Sequence, residues 1–178
     1  MGVIVQFCGL SGSGKTTLAN AVFHQFEKEG LKVMVLDGDH YRQTLCKDLG
    51  FSKADRLENV RRIAAEAEKL RSQYDVLILS IINPFEIGRN HIRLTHQAEV
   101  VWIKCELETL IKRDTKGLYY KAMLPDKHLE KIYNLTGVND TFDVPDKPAL
   151  VIETTRSSTK VCLDQLTFFL KQRIRQPQ

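Results

Sequence analysis

The stretch "GLSGSGKTT", Gly9 to Thr17, constrains this chain more than any other. It satisfies G-x-x-x-x-G-K-[ST], and its flanks are the ones that pattern requires. The apolar run "VIVQFC" (3–8) precedes it, and a helical period marked by Leu18, Val22, Phe23 and Phe26 follows. Gly9, Gly12 and Gly14 let backbone N–H groups turn inward around a phosphate, with Ser11, Ser13 and Thr17 completing the loop, and the helix N-terminus adds its dipole. Lys15 is placed to neutralise β- and γ-phosphates, and Thr16 to offer a hydroxyl to Mg²⁺. A chain built this way binds a nucleoside triphosphate.

Four further β-branched runs follow, at "KVMVLD" (32–37), "DVLILSII" (75–82), "EVVWIKC" (99–105) and "ALVIET" (149–154). They are apolar on both faces and alternate with helical segments, which predicts a parallel sheet covered on both sides. One helix is closed by Gly30. A long one over about 53–72 carries Leu57, Val60, Ile63, Ala64, Ala67 and Leu70, and a C-terminal one, capped by Ser157 or Ser158, carries Cys162, Leu166, Phe169 and Leu170. The fold class is therefore α/β, a three-layer P-loop NTPase fold with a mostly five-stranded parallel sheet. At 178 residues it reads as a single P-loop domain over 1–178. The polar stretch 116–145 has no strand pattern and is expected to form a mobile lid.

Strand two ends in Asp37, Gly38 and Asp39 ("LDGDHYR"), where ligands gather outside the carboxyl ends of parallel strands. Two carboxylates there can hold metal-bound waters and orient or deprotonate an attacking hydroxyl. In "KDLGFSKADRLENVRR", Arg56 and Asn59 share a helix face while Leu57, Val60 and Ile63 face the core. Arg56 near the helix start, with Arg42, would make a cationic acceptor pocket, and Phe51 could stack on a base. "KRDTKGLYYKA" adds Arg113, Lys116 and Lys121 at the lid's start.

The formal charge of +4 suits an acidic small molecule as well as nucleic acid. No block of like charges or aromatic-interleaved basic patch is present, so no nucleic-acid partner is expected. The apolar runs are strand-length, so no membrane span is expected either. "MGVIVQFCG" enters a strand without a basic region, which argues against a signal peptide. Four scattered cysteines read as reduced thiols of a cytoplasmic protein.

The motifs "GLSGSGKTT", "LDGDHYR", "CKDLGFSKADRLENVRR", "RDTKGLY" and "LTGVNDTFDVP" together resemble the adenylylsulfate (APS) kinase family over nearly the whole chain. The resemblance implies transfer of the ATP γ-phosphate to the ribose 3′-hydroxyl of a sulfonucleotide, with Mg²⁺ and a homodimer. It implies that Asp39 acts on the 3′-hydroxyl and Asp37 organises the metal. Arg42, Arg56 and Asn59 would hold the acceptor, with Phe51 on its base. Arg113 would lie near the ATP adenine, and Lys116 and Lys121 would belong to the lid.

Three positions depart from the family pattern. In "SIINPFEIGR", Asn83, just before Pro84 at the acceptor side, replaces a serine, and Glu86 replaces an arginine. In "LTGV", Leu135 replaces a phenylalanine on the second face of the acceptor base. Glu86 would repel a sulfate or phosphate, or accept from an N–H donor, or turn away and pair with Arg89. APS is the default acceptor. The alternatives are another nucleotide such as cytidine diphosphoramidate, used in capsule modification, or a nucleotide-binding regulatory protein without transfer activity.

Overall fold

The structure is a computed structural model and describes residues 1–175. Residues 176–178, the end of the expected domain, lie outside the described residues. Five strands, β1 (Val3–Cys8), β2 (Val33–Asp37), β3 (Val76–Ser80), β4 (Glu99–Lys104) and β5 (Leu150–Glu153), pair in parallel in the order β2-β3-β1-β4-β5. The chain winds from central β1 to one side with β2 and β3, then to the other with β4 and β5. The crevice outside the carboxyl end of β1 is where such a sheet takes a ligand.

Alternation along β1 explains the layers. Val3, Val5 and Phe7 pack on α1 (Lys15–Lys28) and α7 (Thr159–Arg175) through Leu18, Val22, Phe26, Leu166 and Leu170. Ile4 faces the other way, toward Val60, Ile63 and Ala64 of α3 (Lys53–Leu70) and Ile92 of α4 (Glu86–His96). Both faces are apolar because both are covered. Helix ends follow their local chemistry. Gly30, at φ +79°, donates to the Glu27 carbonyl while Leu31 donates to that of Phe26, a Schellman closure of α1. Ser52 caps α3 by accepting from Asp55 N–H, and Ser158 accepts from Val161 N–H at the start of α7.

One polar side chain lies in the middle of the central strand. Gln6 is fully buried; its amide donates to the carbonyls of Arg89 and Ala98, both at 2.9 Å, and its Oε1 accepts from Asn83 Nδ2 at 2.8 Å. It thereby ties β1 to the loop after β3 and to both ends of α4.

Four helices are absent from the periodicity. α2 (Gly38–Gln43), α5 (Leu107–Arg113) and α6 (Leu118–Met123) are one to two turns long. α4 is longer, but its buried face is Gly88, Arg89 and Ile92, so an arginine stands where a hydrophobic pattern would be sought. The segment 116–145 is not structureless either, since it contains α6. Its later half is fastened by two buried arginines. Arg56 donates to the Asn134 carbonyl and pairs with Asp140, and Arg89 donates to the Asp143 carbonyl.

Replacing Gln6 with Leu removes three buried hydrogen bonds at once. Gln6→Leu is expected to lower stability by about 3 kcal/mol, seen as a lower urea midpoint with an unchanged slope.

Candidate active site

The loop after β1 is shaped from outside by hydrogen bonds to its carbonyls. Lys15 Nζ donates to the carbonyls of Gly9 and Leu10, each at 2.8 Å. Tyr119 Oη donates to that of Ser11 at 2.7 Å, and Thr154 Oγ1 to that of Ser13 at 3.0 Å. With these carbonyls engaged, the loop turns Ser11, Gly12, Gly14, Lys15, Thr16 and Thr17 to a large cavity. Gly9 cannot be replaced without strain, because a Cβ there would lie 2.3 Å from the Ile103 carbonyl oxygen. Burial lowers the Lys15 pKa to about 8. The same burial pushes the neighbouring Cys8 thiol up to about 12, so the group beneath the lysine stays neutral. A buried ammonium with only carbonyl partners is prepared for an anion.

Beside the loop, Asp37 divides its carboxylate between two tasks. Oδ1 caps α2 by accepting from the N–H groups of Asp39 (2.9 Å) and His40 (3.3 Å), and Oδ2 accepts from Thr16 Oγ1 at 2.8 Å. Ser80, at the end of β3, places its Oγ 3.5 Å from Thr16 Oγ1. This cluster of hard oxygens next to Lys15 fits a small divalent cation that keeps several waters and shares phosphate oxygens. Asp39 lies on the same rim and forms an ion pair with Lys116 from the opposite side.

The cavity, about 670 Å³, continues from the loop to a second, cationic end. There the half-exposed Phe51 ring is approached by two guanidiniums, with Arg42 Cζ 4.5 Å and Arg56 Cζ 5.4 Å from its centroid. Burial, and then the neighbouring Arg56, lowers the pKa of Arg42. Arg56, only 6% exposed, donates through Nε to the Phe51 carbonyl and through Nη2 to Asn134, and pairs with Asp140 at 2.8 Å. Asn59, Asn83, Pro84, Leu135 and Thr136 complete this end. The buried side-chain atoms without a hydrogen-bond partner gather at the site: Ser13 Oγ, Asn59 Oδ1, Asn83 Oδ1 and Thr136 Oγ1. Such orphans call for an explanation, and Asn59 and Thr136 both line the cavity, where a polar ligand could meet them.

Several expected positions take other places. Glu86 does not line the cavity; its carboxylate meets Arg89 (2.7 Å) and the Asp146 N–H (3.3 Å). A fully buried guanidinium draws the nearest carboxylate more strongly than an open cleft does. The Asn83 side chain also turns from the cavity, with Nδ2 on Gln6 and Oδ1 packed where a Cβ on Gly88 would come within 2.9 Å. Lys121 pairs with Glu130 outside the cavity. Arg113 lies at the far side of the loop, donating to the Thr154 carbonyl at 3.2 Å and bordering a small depression with Ser11 and Gly12. Ser80, Tyr119, Thr136 and Thr154 escaped the sequence, since a lone hydroxyl carries no spacing signal of its own, even inside "RDTKGLY" (Tyr119) or "LTGV" (Thr136).

The family model for adenylylsulphate kinase matches residues 1–153. The chain belongs to the adenylylsulphate kinase family. It is 42% identical over 173 residues to the adenylyl-sulfate kinase of Synechococcus sp. (strain JA-2-3B'a(2-13)), covering 97% of this chain and 96% of that one. It is 40% identical over 177 residues to that of Acaryochloris marina (strain MBIC 11017), covering 97% and 83%. Among solved structures, the Mycobacterium tuberculosis APS kinase in complex with AMPPNP and APS superposes with a TM-score of 0.87 at 32% identity, over 96% of this chain and 98% of that one. The α/β P-loop kinase fold is thus that of the family, with ATP as its nucleotide.

Tyr119, buried and bonded to the Ser11 carbonyl, joins α6 to the phosphate loop. Tyr119→Phe is expected to raise the KM for ATP about fivefold while leaving the acceptor KM and the melting temperature nearly unchanged, as read by steady-state kinetics and thermal unfolding.

Proposed function

We propose that this protein transfers the γ-phosphate of ATP to the ribose 3′-hydroxyl of adenylylsulfate, giving 3′-phosphoadenylylsulfate and ADP. The observation that carries this is a single cavity with two unlike ends and a carboxylate between them. Lys15, Thr16 and Asp37 form one end, Arg42, Phe51, Arg56 and Asn59 the other, and Asp39 lies on the rim. The first end suits a triphosphate; the second, with two guanidiniums around an aromatic ring, suits an anionic nucleotide.

In this reading the acceptor's 3′-oxygen attacks the γ-phosphorus in line as the bond to the β-phosphate oxygen breaks. Asp39 orients the hydroxyl and takes its proton, and Lys15 spreads the charge on the transferring group. Thr16 and Asp37 would hold Mg²⁺, which would supply positive charge against the phosphates. Arg113, beside the Thr154–Thr155 turn, is assigned to the adenine end of ATP. Lys116, paired with Asp39, would exchange that partner for a phosphate. We further infer a cytoplasmic homodimer. Four unpaired cysteines support the reducing compartment, and Ile87 and Leu94, exposed on one face of α4, support a second copy as partner. Among the described residues no helix is long and apolar enough to cross a membrane.

Asp39→Asn is expected to lower kcat at least about 100-fold with ATP affinity retained; unchanged ADP release with adenylylsulfate would remove Asp39 from this role. A second reading keeps the chemistry and changes the acceptor to a nucleotide with a smaller base, such as cytidine diphosphoramidate. Leu135 favours it, because it lines the cavity where an aromatic would close on adenine. Glu86 no longer does, being turned to Arg89. Leu135→Phe should lower the KM for adenylylsulfate about fivefold if adenylylsulfate is the acceptor, and a product assay across both nucleotides decides between them.

A further inference from the structure

Glu86 stands where the family pattern has arginine, yet it faces away from the cavity and into a closed polar cluster. Arg89, with no exposure to solvent, spends its guanidinium on the Asn83 carbonyl (2.8 Å), the Asp143 carbonyl (2.7 Å) and the Glu86 carboxylate (2.7 Å). Asp143 is held through every polar group it has. Its N–H donates to the Pro84 carbonyl at 2.8 Å, its carbonyl takes Arg89, and its carboxylate accepts from Glu86 N–H, at the N-terminus of α4, at 3.0 Å. Asp146 N–H closes the ring on Glu86 Oε2.

This cluster joins two walls of one cavity. Asn83 and Pro84 lie on the sheet side, while Leu135 and Thr136 belong to the segment that returns through Asp143. We propose that Glu86 is a positioning residue. By neutralising Arg89 it locks Asp143 against Pro84 and so sets the width of the acceptor end. A guanidinium removed from water needs its counterion, and losing that counterion leaves an uncompensated buried charge. Arg89 then draws water, the clamp on Asp143 loosens, and the wall carrying Leu135 and Thr136 moves. The inference rests on the kinase activity proposed above for its kinetic arm and on the contacts alone for its structural arm.

The two roles open to Glu86 predict opposite signs. Were it to face the acceptor, removing its charge would relieve repulsion of an anionic nucleotide and lower the acceptor KM. As a clamp, Glu86→Gln raises the acceptor KM about tenfold, leaves the ATP KM within about twofold, and speeds hydrogen exchange of amides 142–146 without changing those of β1. Glu86→Arg, which installs the family residue, sets two guanidiniums together and produces a larger effect in the same direction. Asp143→Asn, which keeps the Arg89–Glu86 pair, loosens the same amides and gives a second handle if the Glu86 variants fail to fold. An acceptor KM that is unchanged or lower in Glu86→Gln, or amides 142–146 that exchange as in the parent, overturns the clamp. Absence of turnover with adenylylsulfate in the parent protein would overturn adenylylsulfate as the acceptor instead, and exchange alone then decides the clamp.

Discussion

Burial of the Lys15 ammonium is the constraint around which the nucleotide end is arranged. Removing a charge from water costs several kcal/mol, and here the carbonyls of Gly9 and Leu10 offset only part of it, as the pKa lowered to about 8 records. Those carbonyls point at Lys15 because Gly9 packs against the Ile103 backbone, where no side chain fits. Their orientation in turn directs the loop toward the cavity. The parallel sheet matters to the site because β1, inserted between β3 and β4, holds this loop on both flanks. A triphosphate supplies the negative charge that the carbonyls lack.

Two further buried cations do for the acceptor end what Lys15 does for the donor end. Arg56 and Arg89 come from different helices, yet each sends donors to carbonyls of the same returning segment, Asn134 and Asp143, and each has one carboxylate, Asp140 or Glu86. The acceptor wall is therefore held by charge-assisted hydrogen bonds as well as by the apolar cluster that Leu135 forms with Leu110, Tyr119 and Ala122. Such bonds fix direction as well as distance, which a binding wall for a polar nucleotide requires. Arg56 borders the cavity while also serving this structural task, so its guanidinium meets an acceptor already oriented. Preorganisation of this kind lowers the entropic cost of binding.

The sheet was legible because every strand is a continuous β-branched run, and the phosphate loop because its glycine spacing has few other uses. Asp37, Asp39, Arg42, Phe51, Arg56 and Asn59 were legible as one cavity because they follow one another from the carboxyl end of β2, the side on which a parallel sheet gathers its ligands. Hydrophobic period could not show α4, whose buried face is formed by Gly88 and Arg89. Side-chain direction was equally hidden. Asn83 and Glu86 lie in sequence at the mouth of β3, but one turns to Gln6 in the strand beside it and the other to Arg89. Both partners are remote in sequence or embedded in a charged helix, where many pairings look alike.

The departures from the family pattern therefore differ in kind. Leu135 lies on the surface of the cavity itself, where it puts a smaller aliphatic side chain in place of an aromatic one. Asn83 suits its backbone: at φ +41° it occupies a left-handed conformation that asparagine tolerates better than most residues, and its amide joins the Gln6 network. Glu86 changes the charge balance around Arg89. A residue that meets a buried charge cannot be judged alone, since exchanging it alters what that charge must pair with. An arginine at position 86 beside Arg89 would require a second carboxylate in reach. Asp143 is the nearest such group by connectivity, and its carboxylate is already committed to the N-terminus of α4. Glu86 and Arg89 thus form one electrostatic unit, and the acceptor pocket is shaped by their sum rather than by the sign of either one.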